Sequence, residues 1–510
     1  MKKNYDVIVI GSGNGGLGAA LAVLNQGKTC LVLEKHNIPG GFATSFVRGR
    51  FEFEASLHEF NGIGTKENPG SCGKLFNELG IGDKIEWVPL HEAYRLISLE
   101  EKIDVTVPLG KEKVIALGDK LCPNGSQYMK DFLELSGKIA SAMTYLNETH
   151  GKPDPEVMKT KYIDYMTACS YSFKEVMDKL NYPPIIRKVL TGYWSYLGAK
   201  EDDISFVHLA NMINSYFTKG ACVPTFRSHG LSLASETRIH ELGGDIFYNS
   251  LVTKILTDEN NHVSGVKLKN GEEYYAKHII ANCSLHNAIN MLDPKAVPEK
   301  ALKLANFRQF AGRGFTIFLG LNKSPKELGI TEHSYFVYSS SDDIKVYKEM
   351  AKLPHVAGQA TVCLNNALPD CSPKGTTILY ITTLFTEDCW NKVSEKDYVK
   401  MKNKMALGLI KQFEEATHTH IQEHIEELAI ASPITYARYC LHPQGTIYGY
   451  YSQYHDGLMS RIQSVNLDAV IPGLRIGGGF GERLDGFPSA YKSGANEGAR
   501  TLGDIVKESK

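Results

Sequence analysis

The hydrophobic pattern at the start of the chain predicts a strand, a helix and a second strand. Tyr5–Ile10 is an apolar, β-branched run that ends at a glycine, residues 14–27 are rich in Ala and Leu, and residues 29–33 form another apolar run. Strand, helix and strand in this order make a βαβ unit, which implies a parallel sheet with a right-handed crossover.

The pattern then changes twice along the chain. From about residue 70 to 219 helical patterns and aromatic residues dominate, with predicted helices at 128–146, 173–180 and 184–197. Residues 230–281 return to alternation, with a helix at 231–242, strands at 245–248, 251–257 and 263–268, and Asn270-Gly271 as a hairpin turn. Beyond them we predict strands at 315–321 and 377–383, and helices at 397–415 and 488–506.

A glycine-rich loop joins the first strand to the first helix. Gly11-Ser12-Gly13-Asn14-Gly15-Gly16 matches G-x-G-x-x-G, in which the glycines allow a tight turn, a close approach to a pyrophosphate and close helix packing. Glu34, with Lys35 after it, closes the second strand, where a carboxylate accepts hydrogen bonds from ribose hydroxyls and disfavours a 2′-phosphate. The combination predicts a dinucleotide site.

A second glycine turn indicates which dinucleotide binds. Pro39-Gly40-Gly41-Phe42-Ala43-Thr44 follows closely after Glu34, and its backbone amides can reach further phosphate or ribityl groups. A nicotinamide dinucleotide does not ordinarily need such a turn, whereas the longer FAD does. We therefore predict that FAD binds here, with Gly40, Gly41, Ala43 and Thr44 in contact with it.

These residues resemble a known family. The run from Tyr5 to Gly64 is similar to the phytoene desaturase, carotenoid isomerase and retinol saturase branch of the flavin amine-oxidase superfamily. That branch usually reads Phe-Asp-x-Gly-x-His where this chain has Phe53-Glu54-Ala55-Ser56-Leu57-His58, so Glu54 and Ser56 are departures and His58 is kept. The resemblance reappears at residues 243–282, 442–449 and 472–494.

The resemblance implies further cofactor contacts. They are a strand near Val252 that recognises adenine, Asn282, and the closing segment with Gly478, Gly479, Pro488, Ser489 and Ala490. The family's closing motif usually runs Ala-Gly-Asp, but Gly479 stands where its Asp belongs, and the nearest acids are Glu482 and Asp485. Backbone amides of residues 477–481 can serve instead. No cysteine follows Cys440, so the cysteinyl–flavin bond of some amine oxidases cannot form, and we expect non-covalent FAD.

We therefore predict an α/β fold: a doubly wound, Rossmann-like FAD-binding domain of the glutathione-reductase type, interleaved with a mixed α+β substrate domain. The FAD-binding domain is expected to take residues 1–69, 226–285 and 461–510, and the substrate domain residues 70–225 and 286–460.

The resemblance implies an oxidoreductase that desaturates, saturates or isomerises a carbon–carbon bond of an apolar isoprenoid, carotenoid-like or fatty-acyl substrate. Without a second G-x-G-x-x-G or a C-x-x-C pair, electrons are expected to pass to or from oxygen, a quinone or a diffusing carrier, unless the reaction is redox-neutral. Three alternatives stay open: a redox-neutral isomerase or hydratase of fatty acids, a flavin amine oxidase with an aromatic cage, and a lipid carrier.

Three residues are candidates for catalysis. His58 and Glu59 follow the family block, and an acid at position 59 can move a proton at a carbon next to a double bond if apolar surroundings raise its pKa. A structural histidine and a solvated glutamate are the alternative. Tyr448 is a candidate for orienting substrate or stacking near the flavin. The aromatic residues between Tyr162 and Phe217 fit either a helical core or an apolar tunnel.

Composition narrows the partners. Lys+Arg (56) and Asp+Glu (57) nearly cancel, which argues against nucleic acid. No signal segment and no apolar stretch of about 18–20 residues is visible, so we expect a cytoplasmic protein, with peripheral membrane contact open. We expect no metal site, because the ten cysteines are scattered and the group His418, His420 and His424 lacks the H-E-x-x-H pattern.

Overall fold

The computed structural model describes residues 3–149, 152–452, 471–481 and 486–509. A five-stranded parallel sheet lies at the centre of the nucleotide-binding part. Its strands follow the order Asp245–Phe247, Cys30–Leu33, Val7–Ile10, His278–Ala281 and Leu474–Ile476. Parallel strands covered on both faces read as continuous apolar runs, which explains the first two strands of the chain.

Different elements pack on the two faces of this sheet. Val7 and Val9 pack into a core with helix Asn14–Leu24, while Ile8, which points the other way, packs with a three-stranded antiparallel sheet. That sheet consists of Val252–Thr257, Val263–Leu268 and Glu273–Tyr275. Its second hairpin turns at Gly271, whose φ is +90°, as the Asn-Gly pair predicts.

The first and last helices of the chain cross in close contact through small residues. A Cβ added to Gly18 would lie 2.6 Å from the carbonyl oxygen of Tyr491, and one added to Gly498 would lie 2.9 Å from that of Ala19. Only residues without a side chain allow this approach. The C-terminal helix Phe487–Glu508 is thereby fixed beside the glycine-rich loop.

A seven-stranded sheet forms the second large layer. Its order is Ile425–Ala431, Arg313–Leu321, Thr377–Phe385, Gly358–Cys363, Ser334–Tyr338, Glu92–Ser98 and Ile103–Pro108. All neighbouring pairs are antiparallel except Ser334–Tyr338 with Glu92–Ser98. The strand predictions at 315–321 and 377–383 are confirmed.

The predicted helical character of residues 70–219 is wrong in one part. Residues 87–108 form strands, and the hairpin Glu92–Ser98 with Ile103–Pro108 joins the seven-stranded sheet. Its partner strand lies more than 200 residues further along the chain, so no local pattern announces the pairing. The smaller strands are Ser45–Arg48, Phe51–Glu54, Phe60–Asn61, Trp87–Pro89 and Ala221–Pro224.

The α-helices of the described residues include all those expected from the sequence. Their bounds are Asn14–Leu24, Ser71–Glu78, Lys111–Leu121, Gly125–Glu148, Pro155–Lys161, Ile163–Ala168, Phe173–Lys179, Pro184–Thr191, Phe206–Lys219, Arg227–Glu241, Leu285–Asn290, Glu299–Phe307, Pro325–Leu328, Asp343–Glu349, Glu395–Thr417, Pro433–Cys440 and Phe487–Glu508. The helix predicted at 184–197 changes at Gly192 into a 3₁₀ turn, Gly192–Leu197. Within the described ranges, no helix has the length and apolar character needed to cross a bilayer.

Candidate active site

A cavity of about 1380 Å³ opens at the carboxyl ends of the parallel strands. Ile10 and Leu33, the last residues of two strands, lie on its wall, and so does Asn282, which follows a third. Ligands of open α/β sheets bind at this edge. Because pockets for drug-sized ligands measure about 300–1,000 Å³, this cavity has room for a dinucleotide and a second molecule.

The glycine loop forms a cradle that no side chain can enter. A Cβ added to Gly15 would lie 2.3 Å from the Cα of Gly478, and one added to Gly16 would lie 1.9 Å from the carbonyl oxygen of Gly11. Gly13 precedes helix Asn14–Leu24, whose first N–H groups are unpaired within the helix and favour an anion. The loop therefore fits a pyrophosphate, as predicted.

Glu34 is held in place by its neighbours. Its Oε2 accepts hydrogen bonds from the backbone N–H and the hydroxyl of Ser12, both at 2.8 Å, and its Oε1 accepts one from the backbone N–H of His36 at 2.8 Å. A carboxylate accepts about four hydrogen bonds, so Glu34 keeps capacity for a ribose hydroxyl. It lies on the cavity wall next to Lys35.

Most of the predicted cofactor residues lie on the cavity wall. They are Gly11, Gly13, Gly15, Glu34, Lys35, Gly40, Gly41, Val252, Asn282, Gly479, Pro488, Ser489 and Ala490. Sequence reasoning passed over Asn14 as a ligand-facing residue, although it lies on this wall too.

The other five predicted cofactor residues are not among those that line the cavity, and their direct contact with FAD stays a prediction. The Ser12 hydroxyl donates to Glu34, Gly16 lies too close to the Gly11 carbonyl to carry a side chain, and Gly478 packs against Gly15. Ala43 is buried, its N–H donating to the Gly40 carbonyl and its own carbonyl accepting from Ser232. Thr44 bonds within its own turn.

Gly479 lies on the cavity wall. A Cβ added there would meet no atom of the described residues within 4 Å, so they leave room at the position where the resembling branch usually has an Asp. Glu482 and Asp485, the nearest acids in sequence, lie outside the described residues.

His58 and Glu59 meet on the same cavity wall, joined by a residue that was missed as a functional candidate. The hydroxyl of Tyr196 donates to Oε1 of Glu59 at 2.9 Å and lies 3.0 Å from Nδ1 of His58. All three residues line the cavity that also holds the glycine loop. Because the Tyr196 hydroxyl uses its single hydrogen in the bond to Glu59, Nδ1 of His58 is the donor in the second hydrogen bond.

Burial shifts the pKa values of Glu59 and His58 in opposite directions. Burial, with a smaller contribution from the nearby Glu92, raises the pKa of Glu59 to about 8, against the lowering effect of the Tyr196 hydrogen bond. Burial and the neighbouring His333 lower the pKa of His58 to about 3. At neutral pH both side chains are therefore predominantly uncharged, and Glu59 is a carboxylic acid with a proton to give.

Buried hydrogen bonds fix the turn that carries these residues. Glu54, buried, accepts from the backbone N–H groups of Ser56 and Leu57 and from the backbone and hydroxyl of Ser228. Nε2 of His333 lies 2.9 Å from the carbonyl oxygen of His58. Glu54 thus performs the anchoring for which an acid is needed at this position, although the resembling branch usually has Asp.

The aromatic residues of the helical region divide between the two expectations. Tyr193 and Trp194 are fully buried in the core, whereas Tyr196 and Tyr216 line the cavity. Tyr448, the third catalytic candidate, lies on the cavity wall as well. Most aromatic residues between Tyr162 and Phe217 therefore belong to the hydrophobic core, and those at one edge of the region line the cavity. Among the described residues there is no cluster of three potential metal ligands.

The chain belongs to the flavin-containing amine oxidoreductase family, whose model matches residues 15–401. The cradle described above fits the cofactor of that family, so the protein is an FAD-dependent oxidoreductase. FAD would be held by the glycine loop, by Glu34, by Gly479 and by residues 488–490.

Two groups of curated relatives are similar over most of the chain. The all-trans-retinol 13,14-reductase of Homo sapiens is 24% identical over 483 residues, which cover 88% of this chain and 77% of that protein. The chloroplastic prolycopene isomerase of Daucus carota is 26% identical over 461 residues, covering 87% and 72%.

Solved structures share the fold. An oxidoreductase from Methanosarcina mazei superposes with a TM-score of 0.64 at 15% identity, covering 97% of this chain and 99% of its own. Cyclohexylamine oxidase from Brevibacterium oxydans gives a TM-score of 0.59 at 14% identity, covering 98% and 99%. Both likenesses confirm the Rossmann-like α/β architecture.

Proposed function

We propose that the protein changes a carbon–carbon double bond of an apolar isoprenoid substrate, by saturation, desaturation or isomerisation. The observation that carries this proposal is the single cavity shared by the glycine loop and the Glu59–Tyr196–His58 group. The similarity to a retinol reductase and a prolycopene isomerase supports the substrate class.

Bound FAD supplies hydride chemistry. Glu59 supplies the proton: its raised pKa keeps it protonated at neutral pH, and it lines the cavity in which the substrate would lie. Tyr196 holds the carboxyl in one orientation. Tyr216 and Tyr448, with Met143 and Met212, give the substrate part of the cavity an apolar wall.

The entrance for the substrate lies between three helices. Exposed residues of Ser71–Glu78, Gly125–Glu148 and Phe206–Lys219 line the cavity at its rim. We propose that the substrate enters here and that residues 70–225 and 286–460 serve as its domain. An external electron partner and peripheral membrane contact remain predictions.

An anaerobic absorbance titration tests the function. All-trans-retinol, a cis-configured lycopene and a primary amine are added separately to the FAD-loaded protein, first oxidised and then reduced by dithionite. Reoxidation of the reduced flavin by a polyene supports saturation, and bleaching of the oxidised flavin by a polyene supports desaturation.

The remaining outcomes separate the alternatives. A polyene that is isomerised while neither flavin form changes supports the redox-neutral reaction. Bleaching by the amine alone, with no polyene converted, would overturn the proposal in favour of amine oxidation. Conversion of no polyene in either state would overturn it as well.

A further inference from the structure

The Glu59–Tyr196–His58 chain continues to a second cavity. This small cavity, of about 20 Å³, is lined by His58 and Tyr448, which also line the large one, and by polar residues that include Ser195, Gln359 and Thr382. A volume above about 10–15 Å³ holds one water molecule when polar partners surround it. Nε2 of His58 bonds to no residue of the described ranges, so it is available to such a water.

We propose that His58 and Tyr196 form a proton relay that reprotonates Glu59 from a water molecule in the small cavity. The inference rests on the proposed role of Glu59 as the proton donor. After Glu59 has given its proton to the substrate, the Tyr196 hydroxyl donates its proton to Oε1 of Glu59. Nδ1–H of His58 replaces the proton on Tyr196, and Nε2 of His58 takes one from the water, which is resupplied by solvent.

The step balances in protons and charge. One solvent proton enters per turnover, Tyr196 ends as a neutral hydroxyl, and His58 moves from the Nδ1–H to the Nε2–H tautomer. Glu59 changes from carboxylate to carboxylic acid. Before the next turnover His58 returns to the Nδ1–H tautomer by exchange with solvent water: it gives up the Nε2 proton and takes one proton at Nδ1, so the return consumes no net proton.

The surroundings favour a relay without a charged histidine or tyrosinate. Burial holds the pKa of Tyr196 well above its ordinary value and the pKa of His58 at about 3. The other titratable groups that act on these residues are Glu92, Tyr193, Tyr216, His333, Tyr380 and Tyr448. Neutral partners passing a proton in concert avoid the cost of a buried charge.

Tyr196→Phe separates the relay from the chemistry. At pH 7 the Glu59 of this variant begins protonated, so the first turnover of reduced enzyme with all-trans-retinol should be slowed only by the lost orientation of the Glu59 carboxyl, and by much less than the later ones. Later turnovers should slow by about a hundredfold, because assisted proton transfer contributes about 10²–10⁴ in rate. Tyr193→Phe is the matched control, since it loses a buried hydroxyl that donates to Ala93 and stands outside the relay.

A second readout is independent of turnover. The pKa of Glu59 can be measured by infrared difference titration of its carboxyl stretch, which is assigned with Glu59→Gln. This pKa should be higher by about 1–2 in Tyr196→Phe, because a hydrogen bond to a charged group contributes about 1.5–3 kcal/mol. Tyr193→Phe should leave this pKa near the wild-type value. An unchanged Glu59 pKa in Tyr196→Phe would overturn the relay.

Ala360→Val tests whether the water molecule is needed, and it leaves Glu59, Tyr196 and His58 unchanged. It also provides a second test should Tyr196→Phe fail to fold. Ala360 lines the small cavity, so two added methyl groups exclude the water. This variant should keep the Glu59 pKa and slow only the later turnovers. Equal first and later turnovers in either variant contradict the relay, whereas full activity of Glu59→Gln contradicts the proposed function itself.

Discussion

Replacing Glu59 by Gln should make the protein more stable and less active. The pKa of this buried carboxyl rises from 4.5 to about 8 on folding, and one pKa unit corresponds to about 1.4 kcal/mol. At pH 7 the unfolded chain ionises the group and the folded protein keeps it protonated. The difference costs the folded state about 3 kcal/mol relative to a group with an unchanged pKa.

The sign follows from proton binding. Between pH 4.5 and about 8 the folded protein binds more protons at Glu59 than the unfolded chain, so stability falls as pH rises through this window. Below pH 4.5 Glu59 is protonated in both the folded and the unfolded state, so the loss of stability disappears. Glu59→Gln removes this dependence, because an amide does not titrate.

The assay is thermal unfolding of the FAD-loaded wild type and of Glu59→Gln from pH 5 to 9. The melting temperature of the variant, relative to that of the wild type, should increase as pH rises. Turnover by the variant should be lower by about a hundredfold or more, because the acid is lost. Glu78→Gln, at the exposed rim of the cavity, is the control and should follow the wild type. Parallel melting profiles for wild type and Glu59→Gln would refute the reasoning.

Three further changes test the cradle and its support. Gly13→Val should abolish FAD binding in a fluorescence titration, because its side chain occupies the pyrophosphate position and meets Asn282 at 2.9 Å from its Cβ; Gly503→Ala, with open space around its Cβ, is the control. Gly479→Asp should fold and tighten FAD binding about fivefold, the effect of one hydrogen bond of about 1 kcal/mol; unchanged affinity would show that the backbone already suffices. Glu54→Gln should lower the free energy of unfolding by about 1–3 kcal/mol in denaturant titrations, because the amide leaves the backbone N–H of Ser228 unpaired.

The cofactor side was predictable because its signals are local. The strand Val7–Ile10, the glycine loop and Glu34 lie within one short stretch, and each residue type has a direct physical reason. The sequence pattern cannot rank the residues within a turn: Gly40 and Gly41 line the cavity, whereas Ala43 of the same turn is buried, which only the folded chain shows.

The substrate side depends on contacts between distant residues. Tyr196 reaches Glu59 across 137 residues, and it does so from a 3₁₀ turn that the sequence pattern continued as an α-helix. The hairpin at Glu92–Ser98 pairs with Ser334–Tyr338, which only the folded chain brings together. Neither contact leaves a periodic signal in the sequence.

The close packing of the first helix on the last has a consequence for biosynthesis. Gly15 in the glycine loop is in contact with Gly478 and Gly494, and the strand Leu474–Ile476 completes the parallel sheet. A nascent chain that has only its first 400 residues outside the ribosome lacks this part of the cradle. We therefore expect FAD to bind only after this segment has been synthesised, and a chain cut before residue 474 should be recovered without flavin.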